Sequence, residues 1–526
     1  MNSEQTSFLM PLGADLDPCN RWVQLSRIIP WDEAERIYSA HFTDRQGGPR
    51  PLSARVALGS LVIKERLGLT DEETIEQIRE NPYLQYFLGF ASYRTTVPFD
   101  SSLLVHFRKR FGQEGMQRIN QVVIERELAR RAGSSADSQA VEPDEGDDGG
   151  QPPGQSSGPL VDDSPSLDGS SPAADSMPQG ALLIDATCAP ADITYPTDVK
   201  LLNHAREVQE TVIDRLHAPH RGQQAKPRTY RRKARKAFLS LAKAKRLSKA
   251  KLRTGIGKQL RFIRRNQATI ARFIEEDPEC LERLEATLYR KLLVVAEAYR
   301  QQDHLYQTGE RSVSDRIVNI AQPHVRPIVR GKAGAPCEFG AKISVSLTGG
   351  GGDGLIALDR LSWDAYHEGA DLVAQAEAFR QRTGCYPAAV YADKAYRTKA
   401  NRAWCKERGI RLAGIGPGRP PKDPAVLRDR LREARGDEAA RQPIEGVFGR
   451  AKRRFGLKRI MSKLATTSAA TIALTFLVMN VEQILLLLCV LMVLTAITAL
   501  FTCLLGPAGR RLQHAGVAMW GRCLRV

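Results

Sequence analysis

The sequence predicts an α/β fold: a sheet flanked by helices, with a helical unit ahead of it and a basic helical insertion within it. Three observations predict this. Residues 20–131 carry apolar positions at helix spacing. Beyond Ala181 the pattern changes to short apolar runs, two of which lead into an aspartate. Between the first of these runs and the next lies a long cationic segment with its own apolar stripe.

Size and charge bound the reading. At roughly 100–200 residues per domain, 526 residues suggest about three units. A hydrophobic content of 42% can bury sizeable cores, and it excludes whole-chain disorder, collagen and a disulfide scaffold. The nine cysteines contain no C-x-x-C pair, which argues against a zinc module and for reduced thiols in a cytosolic protein. The first residues, MNSEQTSFLMPLGADLDP, lack a basic region followed by an apolar core, so no signal peptide is expected. A net charge of +18 and a pI near 9.6 point to a polyanionic partner, either nucleic acid or an anionic membrane surface.

The N-terminal unit, 1–131, reads as helical. Leu58, Leu61, Val62, Glu65 and Leu69 recur at helix spacing. Thr70 can cap the next helix while Glu73 reaches back to it, and Asn81-Pro82 should end or bend that helix. In SSLLVHFRKRFG, the run of His106, Arg108, Lys109 and Arg110 suits a helix that contacts DNA, or the basic rim of a packing domain. Residues 132–180 contain ten Asp/Glu and no Lys or Arg, and consist mostly of Gly, Ser, Pro, Asp and Gln. Such a stretch has little to bury, so it reads as a disordered acidic linker.

From Ala181, ALLIDAT reads as a buried strand that leads into Asp185, and VNIAQPHVRPIV and CEFGAKISVSLTG as two more strands. The glycines 349–352 with Asp353-Gly354 form a hairpin-type connection and lack the P-loop pattern. EGADLVAQAEAFRQRTG reads as a helix ending near Gly384, AAVYADKAY as a strand ending at Asp393, RLAGI as a short strand, and Gln442–Leu457 as a basic helix carrying Glu445. The order is three strands, helix, strand, short strand, helix, with a helical insertion at about 200–315 after the first strand.

Within that insertion, residues 221–265 hold eighteen Lys/Arg and no Asp/Glu, interleaved with Phe238, Leu241, Leu252, Ile256, Leu260 and Ile263. Like charges without counter-charges repel, and a phosphate backbone relieves that repulsion while releasing counterions. Arg231, Arg232 and Lys233 are candidate phosphate contacts. Residues 483–509 carry no charge, and by length and apolarity could cross a membrane. The competing expectation, preferred here, is a packed or oligomer-forming helix within a C-terminal segment of 481–526.

Asp185, Asp393 and Glu445 together suggest a site. Three converging carboxylates are costly to ionise, and hard divalent cations such as Mg²⁺ remove that cost. Two such ions can activate water or a 3′-hydroxyl for phosphodiester chemistry. Arg441 and Glu445 lie four apart on one helix face, and Lys452 comes about two turns later. Arg441 and Lys452 can therefore grip phosphates beside the acid, or Arg441 can simply pair with Glu445. Lys394 and Tyr396 come directly after Asp393, and Tyr396 could stack on an unpaired base or pack internally.

The segments IDATCAPADITYPTD, YADKAY and RQPIEGVFGRAKRRFG resemble the three catalytic segments of DDE transposases of bacterial insertion sequences. PLSARVALGSLVIKERLGLTDEETIEQIRENPYLQYFLGF and PFDSSLLVHFRKRFG resemble the helical N-terminal domain of that family. The resemblance implies a ribonuclease H-like mixed sheet over 181–480, with Asp185, Asp393 and Glu445 as ligands of two Mg²⁺ ions, Mn²⁺ being able to substitute. It also implies double-stranded DNA as partner, both element ends and target, and at least a homodimer in the working complex. The expected location is the cytoplasm, on the nucleoid, with no membrane partner. The third segment resembles a Tyr-x2-Arg-x3-Glu-x6-Lys signature through Arg441, Glu445 and Lys452, with Glu438 at the Tyr position. The alternatives are an inactive DNA-binding derivative of such an enzyme, a metal nuclease that cuts without joining, and a membrane-tethered protein.

Overall fold

The computed structural model describes residues 16–42, 51–137, 177, 179–246, 248–332, 335–349, 354–416, 421 and 423–523. Side chains are described to residue 497, except those of 133–137 and 330–336. Most of the acidic linker (138–176) and the glycines 350–352 with Asp353 lie outside the described residues.

Among the described residues, six helices come first: α1 (Arg21–Ile28), α2 (Trp31–Ser39), α3 (Ala54–Leu67), α4 (Asp71–Glu80), α5 (Pro82–Phe87) and α6 (Leu103–Asp137). Local chemistry sets their ends. Ser53 caps α3, and Gly68 closes it at φ +69°, a backbone angle that costs glycine nothing. The capping box predicted for α4 is present: Glu73 N–H donates to Thr70 Oγ1 (3.1 Å) and Thr70 N–H to Glu73 Oε2 (2.8 Å). Asn81 ends α4 and caps α5, which begins with Pro82. Gly112, at φ +60° and ψ −171°, breaks α6 into two helical segments.

The sheet has six strands: β1 (Ala181–Pro190), β2 (Arg326–Lys332), β3 (Ala335–Thr348), β4 (Leu355–Ser362), β5 (Ala389–Ala392) and β6 (Arg411–Leu412). The path is β2-β3-β1-β5-β6, with β4 also on β3. β1, β2 and β4 pair antiparallel with β3, while β1-β5 and β5-β6 are parallel, so the sheet is mixed. The expected order of elements needs correction. Four strands rather than three precede the helix that ends near Gly384, because GLIALDRLSW, on the far side of the glycine turn, is itself strand β4. VNIAQPHVRPIV is a strand only from Arg326.

Helices cover both faces. On one, α11 (Leu372–Thr383) and α12 (Lys399–Glu407) pack Leu372, Phe379 and Cys405 against Leu182, Ile184 and Val390. Gly384 closes α11 at φ +79°. On the other face lie α13 (Pro424–Arg454) and α14 (Ala465–Cys523). α13 begins well before Gln442 and runs through Pro443. α7 (Asp198–His217), α8 (Arg231–Ala242), α9 (Lys249–Glu276) and α10 (Ala286–Thr308) come between β1 and β2 and bury their own clusters, around Leu202, Ile263 and Val295 and around Ile213 and Phe273.

The N-terminal helices have no core of their own. Leu58, Leu61, Phe87, Phe107 and Ile119 share one buried cluster with Val345, Leu347 and Leu358 of the sheet, Phe448 of α13, and Phe476 and Leu477 of α14. A polar joint fixes the contact. Asn480 accepts from Ile356 N–H (2.8 Å), and its amide donates to Ile356 O (2.7 Å) and Asn120 Oδ1 (2.8 Å). It thereby satisfies backbone groups on edge strand β4. α6 continues past residue 131, to Asp137, and lies on β4.

α14 divides along its length. Ala469 to Leu485 is almost entirely buried, whereas Leu486, Val490, Leu491, Met492, Val493 and Ile497 are exposed. Of the stretch 483–509 expected to pack, only Gln483, Ile484 and Leu485 are buried among the residues whose side chains are described. Among the described residues α14 is the one helix long and apolar enough to cross a membrane, although nearly half of that stretch is buried within the protein.

Candidate active site

Sheet register brings the first two carboxylates together. β1 pairs in parallel with β5 through Ile184↔Ala392, where β5 stops, and the next residue on each strand is Asp185 and Asp393. Asp185 is mid-strand rather than at a strand end, because β1 continues to Pro190 against β3. Period-two alternation puts Asp185 on the side of Leu183, facing α13, while Leu182 and Ile184 face α11. Asp393 caps a short 3₁₀ turn, its Oδ1 accepting from Lys394 N–H (2.6 Å). Glu445 comes from α13.

All three carboxylates line one cleft of about 550 Å³, with Thr187, Lys342, Glu368, Arg441, Phe448 and Lys452 among its walls. Arg441 bridges it. Its Nη1 donates to Asp185 Oδ2 (3.1 Å), and its Nη2 to Glu445 Oε1 (2.6 Å) and Glu438 Oε1 (2.8 Å). Lys452 Nζ donates to Thr187 Oγ1 (2.9 Å), and Lys342 Nζ lies 3.1 Å from Glu368 Oε2. The Asp185 carboxyl is pushed up to about 6, chiefly by burial. The Ala186 N–H and Arg441 oppose that rise, and the charges of Asp393 and Glu368 add to it. Burial and the neighbouring acids thus outweigh the Arg441 cation at Asp185. Its acidic donors are all carboxylate oxygens, the set that hard cations prefer. Among the described residues, no three His, Cys, Asp or Glu side chains stand close enough to share one ion, and the Arg441 guanidinium links Asp185 to Glu445.

The other predicted contacts divide. Lys394 is exposed beside Asp393. Tyr396 is fully buried in the α11–α12 core, so the stacking expectation is corrected: the 3₁₀ turn folds the ring inward. Arg108 is buried on Asp71 (2.7 Å), and Arg110 donates to Tyr38 Oη (2.7 Å) while lying over Tyr38 and Phe42. Those two cations are used internally, and only Lys109 of the three is exposed. Arg231, Arg232 and Lys233 are exposed at the start of α8, Arg231 paired with Asp214 (2.6 Å). Sequence reasoning missed Glu368 and Lys342. Glu368 sits in a 3₁₀ turn where the sequence pattern suggests the start of a helix, and Lys342 in mid-strand, so neither carries a local signature.

Comparison with known proteins extends this picture. Residues 390–482 match the model described as "Transposase DDE domain", and residues 11–110 match "Transposase domain (DUF772)". A curated relative from Rhizobium meliloti, "Uncharacterized protein ORF8 in nfe locus", is 31% identical over 117 residues. That stretch is 22% of this chain and 56% of the relative's length. No solved structure gives a significant match. The DDE match spans Asp393 and Glu445, the N-terminal match spans the helices that share the sheet's core, and the two matches together support a likeness to DDE-type transposases of insertion sequences.

Proposed function

We propose that this chain is an insertion-sequence transposase that binds the terminal inverted repeats of its element and catalyses metal-dependent DNA strand cleavage and strand transfer. The observation that carries the reading is the meeting of Asp185, Asp393 and Glu445, from two adjacent strands and one helix, in a single cleft with Arg441 and Lys452. The sheet order, with antiparallel strands on one side of β1 and parallel strands on the other, supports a ribonuclease H-like core.

Asp185, Asp393 and Glu445 would hold two Mg²⁺ ions, and Mn²⁺ could replace them. Bound there, such ions supply Lewis acidity to the attacking and leaving oxygens of a phosphodiester. Arg441 and Lys452 would hold phosphate oxygens next to the scissile bond, and the α8–α9 cations the flanking duplex. Water cleaves first, leaving a 3′-hydroxyl on the element end. That hydroxyl then attacks a target phosphodiester and displaces a target 3′-oxygen, so no covalent protein–DNA intermediate is needed. Joining two ends calls for at least a homodimer, acting in the cytoplasm on the nucleoid.

The test uses the full chain and a labelled duplex carrying the element's own end, with Mg²⁺, Mn²⁺ or EDTA. The expected result is metal-dependent nicking with a 3′-hydroxyl, followed by joining, both abolished in Glu445→Ala. Tight end binding without nicking in either metal would move the assignment to an inactive DNA-binding derivative. Nicking that never leads to joining would make it a nuclease.

A further inference from the structure

We propose that Arg441 is a place-holding cation. Its guanidinium links Asp185 to Glu445, and it withdraws onto Glu438 when a divalent cation takes those two acids. This rests on the metal-dependent reading above; it concerns the DNA-free protein, leaves Arg441 its phosphate contact once DNA is bound, and assigns Glu438 as the positioning residue.

Three observations support the assignment. First, Arg441 occupies the oxygens a metal would use: Asp185 Oδ2 at 3.1 Å and Glu445 Oε1 at 2.6 Å. Bonds of this kind put a cation on those oxygens, so an incoming ion meets its charge and competes with it.

Second, the links differ in kind. Glu438, Arg441 and Glu445 succeed one another on α13 at three- and four-residue spacing, so both glutamates stay within reach of Arg441 whatever the cleft holds. Asp185 belongs to β1, and its bond to Arg441 is the cross-element link. Exposure divides in the same way. The side chains of Arg441 and Asp185 are 12% and 16% exposed, those of Glu438 and Glu445 58% and 57%. The two glutamates lie toward solvent, on the side to which Arg441 can turn.

Third, Glu438 already holds Arg441 twice, accepting from Nη2 (2.8 Å) and Nε (3.3 Å). A released guanidinium thus keeps an anionic seat rather than being left unpaired in a half-buried cleft, which would be costly. Glu438 stands where the resembled signature has a tyrosine, and a phenol could not supply that charge. The seat is a property of this chain.

The test is Mn²⁺ binding to the full chain without DNA, read by the paramagnetic resonance of free Mn²⁺, for wild type, Arg441→Gln, Glu438→Gln and the double variant. Removing the competitor should tighten Mn²⁺ binding about tenfold in R441Q, and removing the seat should weaken it about threefold in E438Q. The double variant should match R441Q, because a seat without an occupant has no effect. Glu438 is exposed, so E438Q keeps the test valid if R441Q folds poorly. Unchanged or weaker binding in R441Q, or tighter binding in E438Q, overturns the proposal while leaving the metal reading intact, provided Asp185→Asn still abolishes binding. Mn²⁺ binding that is absent from the wild type, or indifferent to D185N, overturns the metal reading itself.

Discussion

Two stretches of this chain are strongly basic, and they use their charge in opposite ways. In the N-terminal run, Arg108 is buried at 7% exposure on Asp71, and Arg110 is spent on Tyr38 and Phe42. In the insertion, all eighteen Lys/Arg of residues 221–265 are exposed. Acids are scarce around them, and Lys226 and Arg231 share Asp214. Others lie on aromatic rings, as Arg265 does on Tyr230 and Arg253 on Tyr306. A cation near an available acid inside a packed core becomes structure, whereas one in a segment without acids remains available to phosphate.

The sharpest break of this comparison is Arg108→Ala. Losing the buried guanidinium and its packing should destabilise the fold by about 3 kcal/mol, with Lys64, 2.9 Å from Asp71, keeping that acid paired; urea unfolding reads this, and the salt dependence of DNA binding should be unchanged in the folded fraction. If R108A instead lowered the salt slope without loss of stability, Arg108 would belong with the DNA contacts.

The next effect concerns the complementary case, an acid whose burial outweighs the cation beside it. Asp185 titrates at about 6 rather than at its ordinary value of 3.8, so its ionisation penalises the folded state as pH rises from below 3.8 through 6. At pH 8 in EDTA the penalty is about 3 kcal/mol, and Asp185→Asn should be more stable than wild type by up to that amount. The two stability curves should converge near pH 4. A variant less stable than wild type at pH 8 would mean that the Arg441 link outweighs burial.

On the insertion, the triple variant Arg232→Ala, Lys233→Ala, Lys236→Ala should leave thermal stability unchanged and reduce the slope of log affinity against log salt by about 2 to 3. An unchanged slope would remove α8 from the DNA-binding surface. The smallest expected effect is that of Arg231→Ala, whose pair with Asp214 is solvent-exposed and worth about 0.5 kcal/mol in stability. A loss above about 2 kcal/mol would move Arg231 to the structural class.

The legible parts of the fold are those with local causes. Thr70 and Glu73 sit three apart and form their capping box whatever surrounds them, and Gly384 closes α11 where a left-handed residue is needed. The acids of the candidate site are readable because Asp185 and Asp393 sit at the end of buried apolar runs and Glu445 on a strongly patterned helix. Glu368 and Lys342 are not, since a carboxylate in a 3₁₀ turn and a lysine in mid-strand look like ordinary surface residues until the sheet forms. Tyr396 is ambiguous for the same reason: three residues after an acid, a tyrosine can point to substrate or to core, and the turn geometry selects core.

By itself the sequence determined the ends of helices that carry a local cap, such as α4 and α11, that β1 is largely buried, that 221–265 has no internal counter-charge, and which acids could carry the chemistry. Each of these depends on residues a few positions apart, through caps, periodicity and local charge balance. The tertiary structure alone decided that Asp185 lies beside Asp393, through the Ile184↔Ala392 register, and that Arg441 spans Asp185 and Glu445. It alone decided that the N-terminal helices consume Arg108 and Arg110 in a core shared with the sheet, and that α14 is buried only as far as the sheet and α6 reach. Those outcomes depend on partners tens to hundreds of residues away, and burial against those partners sets whether a charge is spent or free.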